Sequence, residues 1–172
     1  MQTQERAYIL KALAGGRDAL LDALRGLPDG LATASPASGR WSVVECVEHL
    51  AVSEHFLLTA ITEARCSEAP VANPKREAAI LSRGADRTAP VTSPEAGLPT
   101  GRFATLADAS AGFLAARERT VRFVETCDDD LRAKAMTHPV MGTINCHEAL
   151  LLIAVHPRRH AQQILEIGNA TG

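Results

Sequence analysis

The sequence constrains the fold most strongly through two helix starts, one in each half of the chain. Ser42 is followed at the third position by Glu45, and Asn145 is followed at the third position by Glu148. In each pair the first side chain can bond a free backbone N–H of the helix, and the acidic side chain can bond the N–H of the capping residue. Each pair precedes an apolar stretch, so the sequence predicts that a helix begins at both points.

Four stretches of the chain carry apolar residues at the spacing of an amphipathic helix. They cover approximately residues 3–25, 42–65, 105–127 and 145–167. No stretch predicts a strand convincingly, so the sequence indicates an all-α fold, a four-helix bundle. Glu54 lies within the apolar stripe of the second helix, where a purely structural helix would avoid a charge.

The connections between these helices differ in character. Residues 66–103 contain five prolines and predict an irregular segment with a short helix over about 75–82. Because so long a connection in a compact domain is usually a functional lid or a mobile insert, we expect it to shape the mouth of a pocket or a dimer contact. Residues 128–145 form a polar connection with turn signals at His138-Pro139 and Met141-Gly142.

Composition limits the classes of function. The 172 residues suit one domain over residues 1–172 with one core. Aromatic residues make up 3% of the chain, so aliphatic side chains must fill that core. The formal net charge of −2 argues against a nucleic-acid partner, since no basic excess is present to neutralise phosphates.

The sequence also predicts no membrane segment and no export signal. No apolar run approaches the roughly 20 residues that cross a bilayer, and the first residues lack a basic start followed by an apolar block. The four cysteines are widely scattered, without a CxxC pair or a disulfide ladder. We therefore expect reduced cysteines and a cytoplasmic location.

Two histidines of the segment HPRRHAQQI, His156 and His160, lie four positions apart on the fourth helix. They can face the same way, and two imidazoles at this spacing form a bidentate edge for a metal. The same spacing occurs often by chance, with one histidine in the core and the other at the surface. His49 in the second helix changes this balance, because three neutral imidazoles would leave metal positions open for water or substrate, as in catalytic sites.

Two segments that include these histidines resemble the DinB-like superfamily. WSVVECVEHLAVSEHF (residues 41–56) is similar to the opening of its second helix. HPVMGTINCHEALLLIAVHPRRHAQQI (residues 138–164) is similar to its final loop and helix. The order of elements also agrees, and residues 66–103 match least well. The resemblance implies an up-down-down-up four-helix bundle.

The resemblance further implies a site and a chemistry. In the family one histidine of the second helix and two of the last helix hold a metal, and by position these are His49, His156 and His160. Relatives include thiol-dependent transferases and isomerases that use bacillithiol or mycothiol, and metal-dependent hydrolases. We therefore expect a divalent cation (Zn, Ni, Fe or Mn), a small-molecule substrate such as a low-molecular-weight thiol, and a homodimer. The alternative is a stress-associated binding or interaction module whose metal is structural or absent.

Pro157 and two polar residues bear on the geometry of this site. Within a helix Pro157 removes the N–H that would bond the Ile153 carbonyl, and it biases His156 away from helical geometry. The freed carbonyl is expected to bond a water or the N–H of a nearby ring. Because a ring N–H of a metal-bound histidine usually needs an acceptor, Glu54 and Gln163 are candidates for that role. Glu54 can instead bind a surface arginine.

Three other residues lie close to the predicted site. Trp41 is expected to pack the start of the second helix as a hydrophobic staple with Cys46. A thiolate ligand at Cys46 is conceivable, but small buried cysteines are commoner, so it is left outside the site. His138 is expected to be a turn residue or to border the pocket.

Overall fold

The structure is a computed structural model and describes residues 1–66, 72–88 and 92–170. Its four long helices are α1 (Thr3–Leu24), α3 (Val43–Glu63), α5 (Leu106–Thr126) and α6 (Cys146–Ala170). The shorter elements are α2 (Asp29–Thr33), α4 (Pro74–Arg83), a 3₁₀ turn (Glu95–Gly97), and the strands β1 (Ala135–His138) and β2 (Gly142–Asn145). The four predicted long helices are therefore confirmed to within a few residues at each end.

The long helices form an up-down-down-up bundle, as the resemblance implied. Gly16 in the middle of α1 lies against Ala154 of α6. Farther along the chain Leu27 lies beside Gly168, so α1 and α6 run in the same direction. The start of α1 meets the end of α5, where Arg6 bonds a backbone carbonyl, so these two helices are antiparallel. The helix α3 packs against α5 and α6.

Both predicted capping boxes are present. The Ser42 hydroxyl accepts the backbone N–H of Glu45 at 3.2 Å, and the Glu45 carboxylate accepts the backbone N–H of Ser42 at 2.7 Å. The same reciprocal pair joins Asn145 and Glu148, at 3.0 and 2.8 Å. These caps fix where α3 and α6 begin, and hence which of their positions face the interior.

Aliphatic side chains fill the interior, as the scarcity of aromatic residues predicted. Phe113 is the one aromatic side chain among the described residues that is fully buried. Two apolar clusters fill the two halves of the bundle. Along α3, α5 and α6 these clusters are separated by buried polar residues, which include Glu54, Arg117, Thr120 and His160. None of the described helices combines the length and the apolarity needed to cross a membrane.

The connection from α5 to α6 contains a β-hairpin that the all-α prediction missed. The strands are antiparallel, with Ala135 opposite Asn145 and His138 opposite Gly142. Gly142 has a φ of 68°, which glycine adopts without a steric cost. Strands of four residues offer too few positions for apolar alternation to stand out from a polar loop. The turn signals were correct, but they did not show that strands flank the turn.

The segment predicted to be irregular carries α4 and the 3₁₀ turn. The helix α4 extends the short helix predicted over 75–82 by one residue at each end. Asn73 caps it, with the side-chain oxygen accepting the backbone N–H of Lys75 at 3.0 Å. Positions 67–71 and 89–91 of this segment lie outside the described residues.

Candidate metal centre

Three histidines from two helices meet at the floor of a cavity. His49 lies on α3, and His156 and His160 lie about one turn apart on α6. The Nε2 atom of His156 is 3.2 Å from that of His49 and 3.1 Å from that of His160. One ring nitrogen from each residue lies within 4.8 Å of the other two, so the fold brings together all three histidines proposed as ligands.

The separations between the nitrogen of His156 and those of the other two rings fit a divalent cation. In zinc sites the metal–nitrogen distance is about 2.0–2.1 Å, so two imidazole nitrogens on a tetrahedral ion lie about 3.3 Å apart. The nitrogen of His156 lies 3.2 and 3.1 Å from those of His49 and His160, and all three lie within 4.8 Å of one another. At this distance the lone pairs of two unprotonated ring nitrogens repel each other. A proton or a cation between the nitrogens removes this repulsion. Imidazole donors suit Zn, Ni, Cu and Fe alike, so they do not select one metal.

The surroundings hold the three rings in the neutral form that binds metals. Burial lowers the pKa of His160 to about 3, and a neighbouring ring and two arginines add to the shift. Burial and the two adjacent rings bring the pKa of His156 well below its usual value. Burial also lowers the pKa of His49, although a backbone hydrogen bond opposes part of the shift. Because a protonated imidazole cannot donate a lone pair, these shifts favour metal binding near neutral pH.

The 3₁₀ turn orients the ring of His49. Nδ1 of this ring lies 2.5 Å from the Gly97 carbonyl oxygen, so Nδ1–H donates there and leaves the Nε2 lone pair for a metal. The Ser53 hydroxyl lies 3.3 Å from the same nitrogen. A Cβ at Gly97 would lie 3.2 Å from the ring, so the missing side chain lets the backbone approach. The acceptor for the ring N–H of His49 is therefore the Gly97 carbonyl and not Glu54.

Glu48, next to His49 in the sequence, ties the chain that follows this turn to α3. Its carboxylate is fully buried and accepts the backbone N–H of Thr100 at 2.6 Å and that of Arg102 at 3.0 Å. Sequence reasoning missed this residue. The available signal was a charge on a helical face that is otherwise apolar, with Val44 one turn before it.

Glu54 belongs to a buried ion pair inside the bundle. Its Oε2 lies 2.9 Å from Nη2 of Arg117, and its Oε1 accepts the Thr120 hydroxyl at 2.7 Å. Burial raises the pKa of Glu54, and the positive charge of Arg117 opposes part of that shift. Glu54 therefore binds an arginine, and that arginine is buried rather than on the surface.

The helix α6 continues through Pro157, and His156 remains helical. The Ile153 carbonyl, which Pro157 leaves without its helical N–H, accepts a hydrogen bond from Nη2 of Arg117 at 3.1 Å. A guanidinium group from α5 is therefore the donor at this carbonyl, which the sequence did not indicate. The proline is thus accommodated without turning His156 away from the other two rings.

Gln163, the other candidate acceptor, lies beside His160 on α6. Its side chain opposes part of the fall in the pKa of His160. Its amide oxygen accepts Nη1 of Arg87 at 3.1 Å. The buried Nδ1 of His160 has no hydrogen bond of good geometry with any described residue. Gln163 is therefore in contact with the ring of His160, while its oxygen is directed to the arginine.

The three rings form the floor of a cavity of about 930 Å³. Trp41 borders it, with ring centroids 4.9 Å from His49 and 6.3 Å from His160. Trp41 also packs on the apolar cluster that contains Cys46, as expected of a staple. Sequence reasoning missed its contact with the site, which depends on how α6 lies against the start of α3.

The other walls of the cavity come from α4, the 3₁₀ turn and the hairpin. The described part of the segment 66–103 therefore shapes the pocket. This was one of the two roles predicted for it, the other being a dimer contact. His138 both lines the cavity and stabilises its turn, where Nδ1 accepts the N–H groups of Val140 and Met141. Cys46 is fully buried, and burial raises its pKa to about 12, so it is a protonated thiol at neutral pH.

A comparison with protein families identifies the chain. A family model described as the DinB superfamily matches residues 12–164, a span that includes all three histidines. The chain belongs to the DinB superfamily. No curated protein matches this DinB-superfamily chain.

Two solved structures are similar in fold to this DinB-superfamily chain. One is TT2238, described as a four-helix bundle protein, with 19% identity, a TM-score of 0.61, and coverage of 94% of this chain and 98% of that one. The other is YfiT from Bacillus subtilis, described as a probable metal-dependent hydrolase with an unusual four-helix bundle topology. It has 18% identity, a TM-score of 0.62, and coverage of 100% of this chain and 90% of that one. At these identities the similarity shows the fold alone.

Proposed function

We propose that this protein is a metal-dependent enzyme in which His49, His156 and His160 hold a divalent cation. The proposed reaction class is hydrolysis of a small molecule or transfer of a low-molecular-weight thiol to an electrophile. The observation that carries the proposal is the convergence of three neutral imidazoles, with Nε2 atoms 3.1 and 3.2 Å apart, at the floor of a cavity.

The arrangement suits catalysis better than a closed structural site. A divalent cation, when bound, lowers the pKa of a water or thiol that it contacts, so that a nucleophile exists near neutral pH. Three protein ligands would leave a coordination position for water or substrate, as in catalytic sites. The Gly97 carbonyl holds the tautomer of His49, and Trp41 limits the space beside the rings.

Two further observations support the proposal. The cavity volume of about 930 Å³ lies in the range of pockets for small molecules. YfiT, which shares the fold, is described as a probable metal-dependent hydrolase. Both reactions need a nucleophile that a divalent cation activates, a water in hydrolysis and a thiol in the transfer.

The first experiment measures metal content. Protein supplemented with Zn, Ni, Fe or Mn is dialysed and analysed by plasma mass spectrometry. We expect stoichiometric metal in the wild type and loss of it in His160→Ala. His55→Ala is the matched control, because His55 is an exposed histidine on α3. Trp41 is the single tryptophan of the chain, so quenching of its fluorescence by Ni²⁺ provides an independent readout.

The second experiment measures activity with the same proteins. Hydrolysis of a panel of small esters and amides, and transfer of a thiol to a fluorogenic electrophile, are compared in the wild type and in His160→Ala. Wild-type protein without stoichiometric metal would contradict the proposal. If metal is bound and its removal lowers only the melting temperature, the protein is instead a stress-associated binding module with a structural metal.

A further inference from the structure

The cavity above the three histidines carries unbalanced positive charge. Five arginines line it, and among the described residues no Asp or Glu does so. The whole chain is slightly acidic, with a formal net charge of −2, so this is a local concentration of charge. The five are Arg40, Arg76, Arg83, Arg87 and Arg159.

Two of these arginines are paired with carboxylates behind the wall of the cavity. Nη2 of Arg87 lies 2.9 Å from Oε2 of Glu166, and Nε of Arg76 lies 3.2 Å from Oε1 of Glu148. Arg76 also donates a hydrogen bond to the Thr143 carbonyl at 3.0 Å. These contacts fix the two side chains and neutralise much of their charge.

Arg40 and Arg83 contribute the excess charge. Arg40 and Arg83 are exposed, and neither forms an ion pair with a described residue. Arg159 is half-buried on α6. Burial and the positive charge of Arg87 lower its pKa, and the negative charges of Asp86 and Glu166 oppose part of that shift. Like charges held close together destabilise one another, and an anion in the cavity would relieve that repulsion.

Apolar side chains cover the rest of the wall. The larger ones are Phe56, Leu57, Ile80, Val140, Met141 and Leu152. Phe56, Val140 and Met141 are among the most exposed large apolar side chains of the described residues. A ligand that fills this cavity must therefore present both an apolar surface and negative charge.

We propose that the cavity binds small molecules in which an apolar body is joined to an oxyanion, either a carboxylate or a phosphate. Arg40 and Arg83 would hold the oxyanion, because a guanidinium group forms two parallel N–H···O bonds with either anion. The apolar body would lie against Phe56 and Met141, above the histidines. As a statement about the substrate, this inference rests on the proposed metal-dependent function.

Binding is tested with octanoate and octyl phosphate as probes, and with octanol and inorganic phosphate as controls. The fluorescence of Trp41 at the edge of the cavity follows each titration. We expect both octyl anions to bind at least about tenfold more tightly than octanol, and the dissociation constants to rise with ionic strength. The tighter of the two identifies the preferred oxyanion. Octanol that binds as tightly as the octyl anions would overturn the proposal, as would inorganic phosphate that binds as tightly as octyl phosphate.

Arginine variants locate the anion. Arg83→Gln and Arg40→Gln should each weaken binding of the octyl anions about tenfold and leave octanol unaffected. Arg65→Gln, an exposed arginine outside the cavity, controls for the loss of one charge. Weakening of the same size in all three variants, or in none, contradicts the assignment.

Metal analysis separates this inference from the proposed function. Arg83→Gln should keep the metal content of the wild type, because Arg83 lies on α4 and none of the three proposed ligand histidines does. Wild-type protein that holds metal but binds neither octyl anion overturns the inference alone. Protein that binds the octyl anions but no metal overturns the proposed function and leaves an anion-binding cavity.

Discussion

Arg117 donates a hydrogen bond from Nη2 to the carbonyl oxygen of Ile153, at 3.1 Å. Pro157 cannot offer its own N–H to this carbonyl, so the guanidinium group replaces the missing helical donor. Nη1 donates to the Leu13 carbonyl at 3.2 Å, and Glu54 neutralises the charge. One side chain of α5 thereby bonds α1, α3 and α6 next to the proposed metal centre.

Removing this guanidinium group should weaken the fold. Arg117→Met leaves Glu54 buried without its ion partner and the Ile153 carbonyl without a donor. We expect the free energy of unfolding to fall by about 3–5 kcal/mol. Urea unfolding followed by circular dichroism measures the change. Arg119→Met is the control, because Arg119 is exposed on the same helix, and it should differ from the wild type by less than about 0.5 kcal/mol.

A double variant separates the charge of this pair from its role in geometry. Arg117→Met combined with Glu54→Leu removes the uncompensated carboxylate, so most of the lost stability should return. The Ile153 carbonyl still lacks a donor, so the dissociation constant for metal should stay raised, by about tenfold. If metal affinity returns together with stability, the hydrogen bond from Arg117 does not position His156.

Gly16 sets the distance between α1 and α6. A Cβ at this position would lie 2.1 Å from the Ala154 carbonyl oxygen, which is too close for any real contact. Gly16→Ala must therefore move α6 beside Pro157, and we expect a loss of about 1–3 kcal/mol in the free energy of unfolding. The displaced helix carries two of the proposed ligands, so metal affinity should fall as well.

Gly15→Ala is the matched control for this effect. A Cβ at Gly15 would meet the end of the Arg158 side chain at 2.6 Å, and a flexible side chain can move aside. Because alanine favours the helix by up to about 1 kcal/mol over glycine, this variant should be as stable as the wild type or slightly more stable. Urea unfolding compares the two, and equal destabilisation would contradict close packing at Gly16.

The long helices and the clustered histidines were predictable because their signals are local. The capping boxes at Ser42 and Asn145 determine where α3 and α6 begin, and the apolar stripes determine which faces are buried. Given those faces, His156 and His160 must point inward together. The meeting with His49 depended on the resemblance, because periodicity alone does not state which helices are neighbours.

The contacts that support the site were not predictable, because they join distant parts of the chain. Arg117 and Ile153 are separated by 36 positions, and Glu48 and Thr100 by 52. No local pattern states which of the 18 basic residues becomes buried in a bundle. The hairpin was missed for a different reason, since its strands are too short to show a period.

Glu48 should determine how firmly the 3₁₀ turn holds the ring of His49. Glu48→Gln keeps the size of the side chain but places an amide NH₂ against a backbone N–H of Thr100 or Arg102. We expect the free energy of unfolding to fall by about 1–3 kcal/mol. Amide hydrogen exchange at these two residues should accelerate, and metal should be lost faster.

A matched glutamate tests whether these effects are specific. Glu118→Gln changes an exposed carboxylate on α5 and should leave all three measurements unchanged. If exchange at Thr100 and Arg102 stays slow in Glu48→Gln, the carboxylate does not anchor this part of the chain.

The buried rings make the stability of the metal-free protein depend on pH. The pKa of His160 is about 3 in the folded state, and burial also lowers the pKa of His156 and of His49. In the unfolded chain the pKa of a histidine is about 6.5. Below that pH the unfolded state binds more protons, so the free energy of unfolding is highest above about pH 6.5 and falls as the pH decreases towards the folded pKa.

Urea unfolding of chelator-treated protein between about pH 8 and about pH 5 measures this dependence, with a limiting slope of about 1.4 kcal/mol per pH unit for each buried histidine. His160→Gln should show a shallower fall than the wild type, because one titrating ring is removed. His55→Gln should run parallel to the wild type, since His55 is exposed in the folded state. A wild-type curve that stays flat below about pH 6.5 would show that the three rings are not held neutral in the folded protein.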